Sequence, residues 1–207
     1  MGSWEPGDGE IEGRRDGDAL VLDGSAHFVQ DAFKANFFVA AAQLGDDRVL
    51  CAVPTESEGL DLTQDHIHDL TRDQATLLFQ GVRVPPENVI GPAAEDILNR
   101  AWPSILVTVA ADLCGCAEWQ LQTTVEYAKD RKQFDRPIGF FQAIKHPLVN
   151  AMMDIDRARS LLYRAASFID VGDPAALQAA RMAKSAASDA GAFISVSYTH
   201  LRAHETS

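Results

Sequence analysis

Between Tyr127 and Met152 the chain reads YAKDRKQFDRPIGFFQAIKHPLVNAM, with five Lys and Arg side chains and four aromatic rings. Arg131, Phe134 and Gln142 are the members of this stretch that could meet one extended ligand. A guanidinium matches a phosphate with two parallel hydrogen bonds, and a glutamine amide both donates and accepts along a polar edge. A phosphorylated, flat, partly apolar cofactor would use the cation, the ring and the amide together. The competing reading is that the basic residues answer the dipole of a helix C-terminus and the charges of Asp130 and Asp135, while the aromatics plug the end of a bundle. Net charge decides one point: at −12, the chain is too acidic for broad attraction to nucleic acid or an anionic membrane, so any anion must be caught locally.

Other chemistry-bearing residues carry less. His66 and His68 form an H-x-H between Asp65 and Asp69, but two histidines without a third convergent ligand read as a polar loop, and no metal site is expected. His27 and His146 are assigned to packing or local hydrogen bonds, and His200 and His204 carry no metal hypothesis. The cysteines, Cys51, Cys114 and Cys116, are odd in number, and the last two sit in an apolar helical pattern, so reduced core thiols are expected.

The elements that must position these residues change character along the chain. ALVLDGSAHFV places Asp23-Gly24 between two apolar runs, a hairpin signal, and NFFVAAAQLGDDRVLCAVP repeats the arrangement around Gly45, Asp46 and Asp47. After Gly59 a less regular stretch leads to TLLFQGVRVP and a turn closing at Gly91-Pro92. From about Ala93 the period becomes helical. Leu98, Trp102, Ile105, Val109, Leu113 and Cys116 form one stripe, and Leu106, Ala110, Cys114, Ala117, Leu121 and Val125 lie beside it, giving a wide apolar face. Arg136-Pro137-Ile138-Gly139 is expected to stop this helix. A second should start near Pro147, with a seam from Leu148 to Ile169, and a third should open at Asp173-Pro174 with an alanine-rich seam from Ala176 to Ile194. The fold class that follows is α+β: an antiparallel β-barrel or sandwich followed by an incomplete antiparallel four-helix bundle. No apolar run is long enough for a spanning helix and the N-terminus is polar, so a cytoplasmic protein is expected.

YAKDRKQFDRPIGFFQAIKHPL resembles the signature of the acyl-CoA dehydrogenase family, with Tyr-Ala, Arg-x-x-Phe, Pro-Ile and Phe-Gln at the family's spacing. LDGSAHFVQDAFKANFFVAAA is similar to that family's middle β domain, and DLTRDQATLLFQGVRVPPENVIG to its last strands. Together these segments cover most of Leu20 to about Ser195 in the family's order. The resemblance implies that residues 1–92 are part of the middle β domain and 93–195 part of the C-terminal helical domain. It implies FAD as cofactor, lying between the two and shared across a homodimer or homotetramer, or a heteromer. Arg131 matches the arginine on the FAD pyrophosphate of a neighbouring subunit, Phe134 the ring near the flavin and Gln142 the glutamine on the adenosine half. Phe28 matches the aromatic stacked on the isoalloxazine. Gln30 stands where Thr or Ser usually bonds flavin N5, which puts hydride acceptance in doubt. For Phe28 an ordinary inward strand position is the competing reading.

The implied reaction is α,β-dehydrogenation of an acyl-CoA thioester, with electrons passing to an electron-transfer flavoprotein. No catalytic residue is assigned. The family's usual glutamate lies in a last helical segment beyond this chain, some relatives carry it where Ile105 stands, and Asp112 one turn on reads as structural. The N-terminal helical domain lies outside the chain as well. VSYTHLRAHETS breaks the helical pattern and looks like translated sequencing-adapter read-through, so residues 196–207 are expected to be a non-native tail. Two alternatives stay open: a non-catalytic subunit that shares FAD with a partner, and a ligand-free interaction module. By itself the fragment is expected to be inactive and poorly soluble, because open bundle faces expose apolar surface.

Overall fold

The computed structural model describes residues 10–69, 71–91 and 94–202 of the 207-residue chain. The chain divides between Arg100 and Ala101 into two units. The first is built on strands β1 (Glu10–Asp16), β2 (Ala19–Gln30), β3 (Phe37–Leu44), β4 (Asp47–Pro54), β5 (Leu60–Gln64), β6 (Gln74–Val84) and β7 (Val89–Gly91). These form one seven-stranded sheet in the order β5-β6-β2-β1-β3-β4-β7. It is open, with β5 and β7 at its edges, and mixed: β1 and β3 run parallel, touching at Glu12 and Gln43, while the other pairs are antiparallel. The expected antiparallel barrel or sandwich is corrected accordingly: this sheet does not close into a barrel and is not purely antiparallel. Pro92 lies outside the described residues.

One core gathers the inward residues of this sheet, among them Ile11, Leu22, Phe38, Cys51, Leu77 and Val82. Period-two alternation selects them, and two bulges preserve the selection. In β6 the buried positions are Ala75, Leu77 and Phe79, then Val82 and Val84; the extra residue Gly81, at φ +68°, switches the parity so that both halves of the strand face the core. The Gly81 N–H donates to Asp23 Oδ1 at 2.7 Å. Asp23-Gly24 is thus not a hairpin turn. β2 runs straight through it, and the turn falls earlier, at Gly17-Asp18. The second expected hairpin is present, with Gly45-Asp46 between Leu44 and Asp47. The stretch after Gly59 contains β5, whose short polar-rich run LDLTQ carries little periodic signal of its own.

The second unit holds most of α1 (Ala94–Asp130) together with α2 (Gln142–Asp170) and α3 (Ala176–Arg202). Ala110 and Cys114 cluster with Ala158 and Ala165 of α2 and with Ala180 to Ala187 of α3. Ala117, Leu121 and Ala128 cluster with Leu148, Ala151 and Ile155 and with Ala190 and Ile194. Low numbers on α1 meet high numbers on α2, and α2 meets α3 in the same reversed sense, so the three helices are antiparallel. The α2 and α3 seams fall where the spacing places them. On α1 the Leu106-to-Val125 stripe is turned inward, joined by Leu113 of the other stripe; Ile105 and Val109 are each 44% exposed.

Helix boundaries differ from expectation in four places. α1 ends at Asp130, before Arg136, because a short hairpin follows at once. α2 begins at Gln142 with Pro147 inside its second turn. α3 continues through Val196 to Arg202: Leu201 packs against the same core as Ile194, Tyr198 lies 6.2 Å from the Trp119 ring, and the Ser197 and Thr199 hydroxyls donate to carbonyls one turn back. α3 itself begins at Ala176 rather than at Pro174, and Asp173 accepts from Ala175 N–H at 2.7 Å in the turn that leads into it. No described helix is long and apolar enough to cross a membrane.

Cys51 and Cys114 are buried but Cys116 is exposed, correcting the expectation of three core thiols. Burial pushes the Cys51 thiol up to about 11 and Cys114 also upward. Cys116 is therefore expected to be the thiol that reacts with a neutral-pH reagent in the native protein, with Cys51 and Cys114 reacting only on unfolding; mass spectrometry of the labelled peptides reads this directly. Because the folded-state value of Cys51 is raised, its contribution to stability is full below the ordinary thiol value of 9.0 and is lost as pH rises toward about 11.

Candidate functional site

The loop leaving α1 is compact. Arg131 N–H donates to Tyr127 O at 2.9 Å, finishing the last helical turn, and Ile138 N–H returns to Arg131 O at 2.8 Å. Between them β8 (Lys132–Gln133) pairs with β9 (Arg136–Pro137) across a two-residue turn, Phe134-Asp135. Both turn residues are left-handed, at φ +54° and +62°, a geometry normally left to glycine or asparagine and worth about 1–3 kcal/mol of strain per residue. Gly139 lets the returning chain lie on α1: a Cβ there would stand 3.0 Å from Ala128 O.

Phe141 precedes the first residue of α2, and no side chain caps the helix. The Phe134 ring meets Phe141 edge-on at 6.1 Å, Phe140 meets Phe141 at 5.8 Å, and the Arg136 guanidinium covers Phe140 at 4.5 Å. The ring contacts thus bring the hairpin tip to the start of α2, beside Gln142. Arg131 and Gln142 are exposed and Phe134 is 86% exposed. Among the described residues, no ion pair or hydrogen bond engages the Arg131 guanidinium or the Gln142 amide, although Asp130 adjoins Arg131 in sequence and Asp135 lies in the hairpin turn. Lys129 is held by Glu126 at 2.7 Å. An exposed cation without an ion pair can accept an anion, as can an uncapped helix start. Below the hairpin lies an apolar groove of about 440 Å³ between Leu121, Val125 and Ala128 of α1 and Leu148 and Met152 of α2.

In the β unit, Phe28 is the extra residue of a second bulge. Ala26 pairs with Leu77 and Val29 with Ala75, leaving His27 and Phe28 opposite Thr76 alone. The bulge keeps Ala26 and Val29 packed against the core while Phe28, at φ +61°, stands 65% exposed. The inward strand reading of Phe28 is thereby corrected. Gln30 ends β2, paired with Gln74 and exposed. Beyond it, Lys34 Nζ bridges Asp31 at 2.7 Å and Asp73 at 3.0 Å, which holds the Asp31 carboxyl below its ordinary value and the Lys34 ammonium above its own.

Residues set aside on sequence grounds also have places. His66 and His68 are exposed, while Asp65 accepts from Gln74 and Thr76 and Asp69 from Thr71. Asp112 and His146 are exposed. The uncapped start at Phe141 is not legible in the sequence, because it depends on which atoms fail to reach the first turn of α2, and residue type alone does not show that.

The model of the acyl-CoA dehydrogenase C-terminal domain matches residues 107–201. The chain is 31% identical to the short-chain specific acyl-CoA dehydrogenase of Megasphaera elsdenii, over 91% of this chain and 51% of that protein. This chain belongs to the acyl-CoA dehydrogenase family. Its fold superimposes on butyryl-CoA dehydrogenase from Megasphaera elsdenii with a TM-score of 0.89 at 26% identity, covering 97% of this chain and 55% of that one. A structure described for the electron transferring flavoprotein of Acidaminococcus fermentans gives a TM-score of 0.89 at 27% identity, covering 97% and 56%. The chain spans about half the length of the curated acyl-CoA dehydrogenases it matches.

Proposed function

We propose that the protein carrying this sequence is an FAD-dependent acyl-CoA dehydrogenase that oxidises the α,β bond of an acyl-CoA thioester and hands electrons to an electron-transfer flavoprotein. The observation that carries the reading is the Arg131 guanidinium, exposed and without an ion pair among the described residues, on a hairpin whose tip ring touches the uncapped start of α2. The donor set suits a dinucleotide: Arg131 for a diphosphate, Phe134 for a flat ring, Gln142 for a polar edge of the adenosine half. In the separate β unit, Phe28 offers a ring for stacking and Gln30 an amide for the flavin. Bound FAD would supply the hydride acceptor. This chain's residues would bind and orient it in an oligomer in which Arg131 serves a neighbouring copy.

A second reading is supported by Ile105, which stands at a position where some family members carry the glutamate base and offers no carboxylate. On that reading the chain is a non-catalytic subunit that contributes Arg131 and Gln142 to a partner's FAD. Purified from its source, the protein carrying this sequence is expected to show flavin absorbance that bleaches on adding acyl-CoA. Flavin that stays oxidised under every acyl-CoA favours the non-catalytic subunit. Colourless protein that cannot be reconstituted with FAD overturns both readings and leaves a ligand-free module.

A further inference from the structure

The bulge that turns Phe28 outward is spanned by a line of side chains whose protons can be assigned. His27 Nδ1 lies 3.3 Å from Thr76 Oγ1, and Nε2 lies 3.2 Å from Ser25 Oγ. Thr76 Oγ1 in turn lies 3.0 Å from Asp65 Oδ1, and Gln74 Nε2 donates to the other carboxylate oxygen at 3.1 Å. A carboxylate only accepts, and a threonine hydroxyl has one proton to give. That proton goes to Asp65, so Thr76 Oγ1 must receive the hydrogen on His27 Nδ1. A neutral imidazole has a single N–H; Nε2 is then an acceptor, and Ser25 donates to it rather than to Glu10, which lies farther off at 3.5 Å.

We propose that His27, fixed as the Nδ1–H tautomer by Asp65 acting through Thr76, is a positioning residue for Phe28. The line ties together Asp65, the residue just after β5, with β6 at Thr76 and β2 at Ser25 and His27. It crosses the sheet where β2 has two residues against one of β6, so the ladder there is broken and the strand is least restrained. Phe28 needs such restraint. A bulky residue at φ +61° gains by relaxing to negative φ, and the relaxation would collapse the bulge and swing the ring from its 65% exposed position. His27 opposes this by bonding on both ring nitrogens, and its own ring stands 6.2 Å from that of Phe28. What the held ring then meets rests on the flavin reading given above; the clamp itself does not.

Two measurements test the clamp without flavin. Long-range proton–nitrogen spectra of the histidine-labelled protein are expected to show His27 as the Nδ1–H tautomer, in contrast to the Nε2–H form that dominates for free imidazole side chains, and Thr76→Val is expected to switch it. Chymotrypsin is expected to cleave after Phe28 about 5- to 30-fold faster in His27→Ala, the effect of one or two lost hydrogen bonds on a local opening. An Nε2–H tautomer in the parent protein, or an unchanged cleavage rate in His27→Ala, overturns the proposal. Phe28→Ala with unaltered FAD affinity would remove the flavin partner assigned to the ring and would leave both clamp results as they stand, so the two failures can be told apart.

Discussion

Arg131→Met is expected to weaken FAD binding about 10- to 100-fold in the protein carrying this sequence, the loss of a charge-assisted hydrogen-bonded pair at about 1.5–3 kcal/mol. Methionine keeps much of the length and apolar stem of the side chain and removes only the guanidinium, so the hairpin, whose closing bonds from Arg131 to Tyr127 and Ile138 use backbone atoms, stays in place. The effect should depend on the ligand. Riboflavin, which has no diphosphate, should bind variant and parent alike, whereas FAD should not; fluorescence titration with both compounds separates loss of an anion contact from general damage. Arg131→Lys should recover only part of the affinity, because an ammonium cannot match the two-pronged geometry. Equal FAD affinity in Arg131→Met and the parent would remove the basis of the functional reading.

Gly24→Ala is expected to be the most destabilising single-methyl addition in the β unit, at about 3 kcal/mol or more, combining strained backbone with displacement of a neighbouring strand. At φ +137° the position is reserved for glycine, and an added Cβ would stand 2.1 Å from Glu10 O and 2.9 Å from Ile11 Cα. Both are backbone atoms of β1, which pairs with β2 along its whole length, so relief requires the strand to move. Gly17 supplies the comparison. It also has positive φ, at +64°, but nothing lies within 4 Å of a Cβ built there, so Gly17→Ala should carry only the conformational cost, about 1–2 kcal/mol. Urea unfolding of the two variants beside the parent gives the difference, and comparable losses would show that contact with β1 contributes nothing.

Gly24 also marks the limit of reading a strand from local sequence. Asp-Gly between apolar runs signals a hairpin because the pair tolerates left-handed backbone, and the structure uses the same tolerance to let β1 approach β2 and to place Asp23 opposite the bulge at Gly81. The residue types were legible; the partner that required them lies 58 residues further along the chain, since Asp23 meets Gly81 only once β6 has paired. Phe28 is a similar case, its outward direction being set by the register of β2 against β6.

The amino-acid order alone determined the seams of α2 and α3, the alanine-lined approach between them, the turn at Asp173 and the family signature from Tyr127 to Leu148, because helical periodicity and turn chemistry are local and survive in a bare string. Only the tertiary structure decided how the two apolar stripes on α1 divide between core and solvent, that β1 lies parallel to β3, that residues Val196 to Arg202 continue α3, and that the Phe134 ring meets the start of α2. Each of these depends on a contact between segments distant in sequence. Pairing register, competition between neighbouring faces and the absence of a capping atom are properties of the assembled neighbours, and no stretch of the chain carries them by itself.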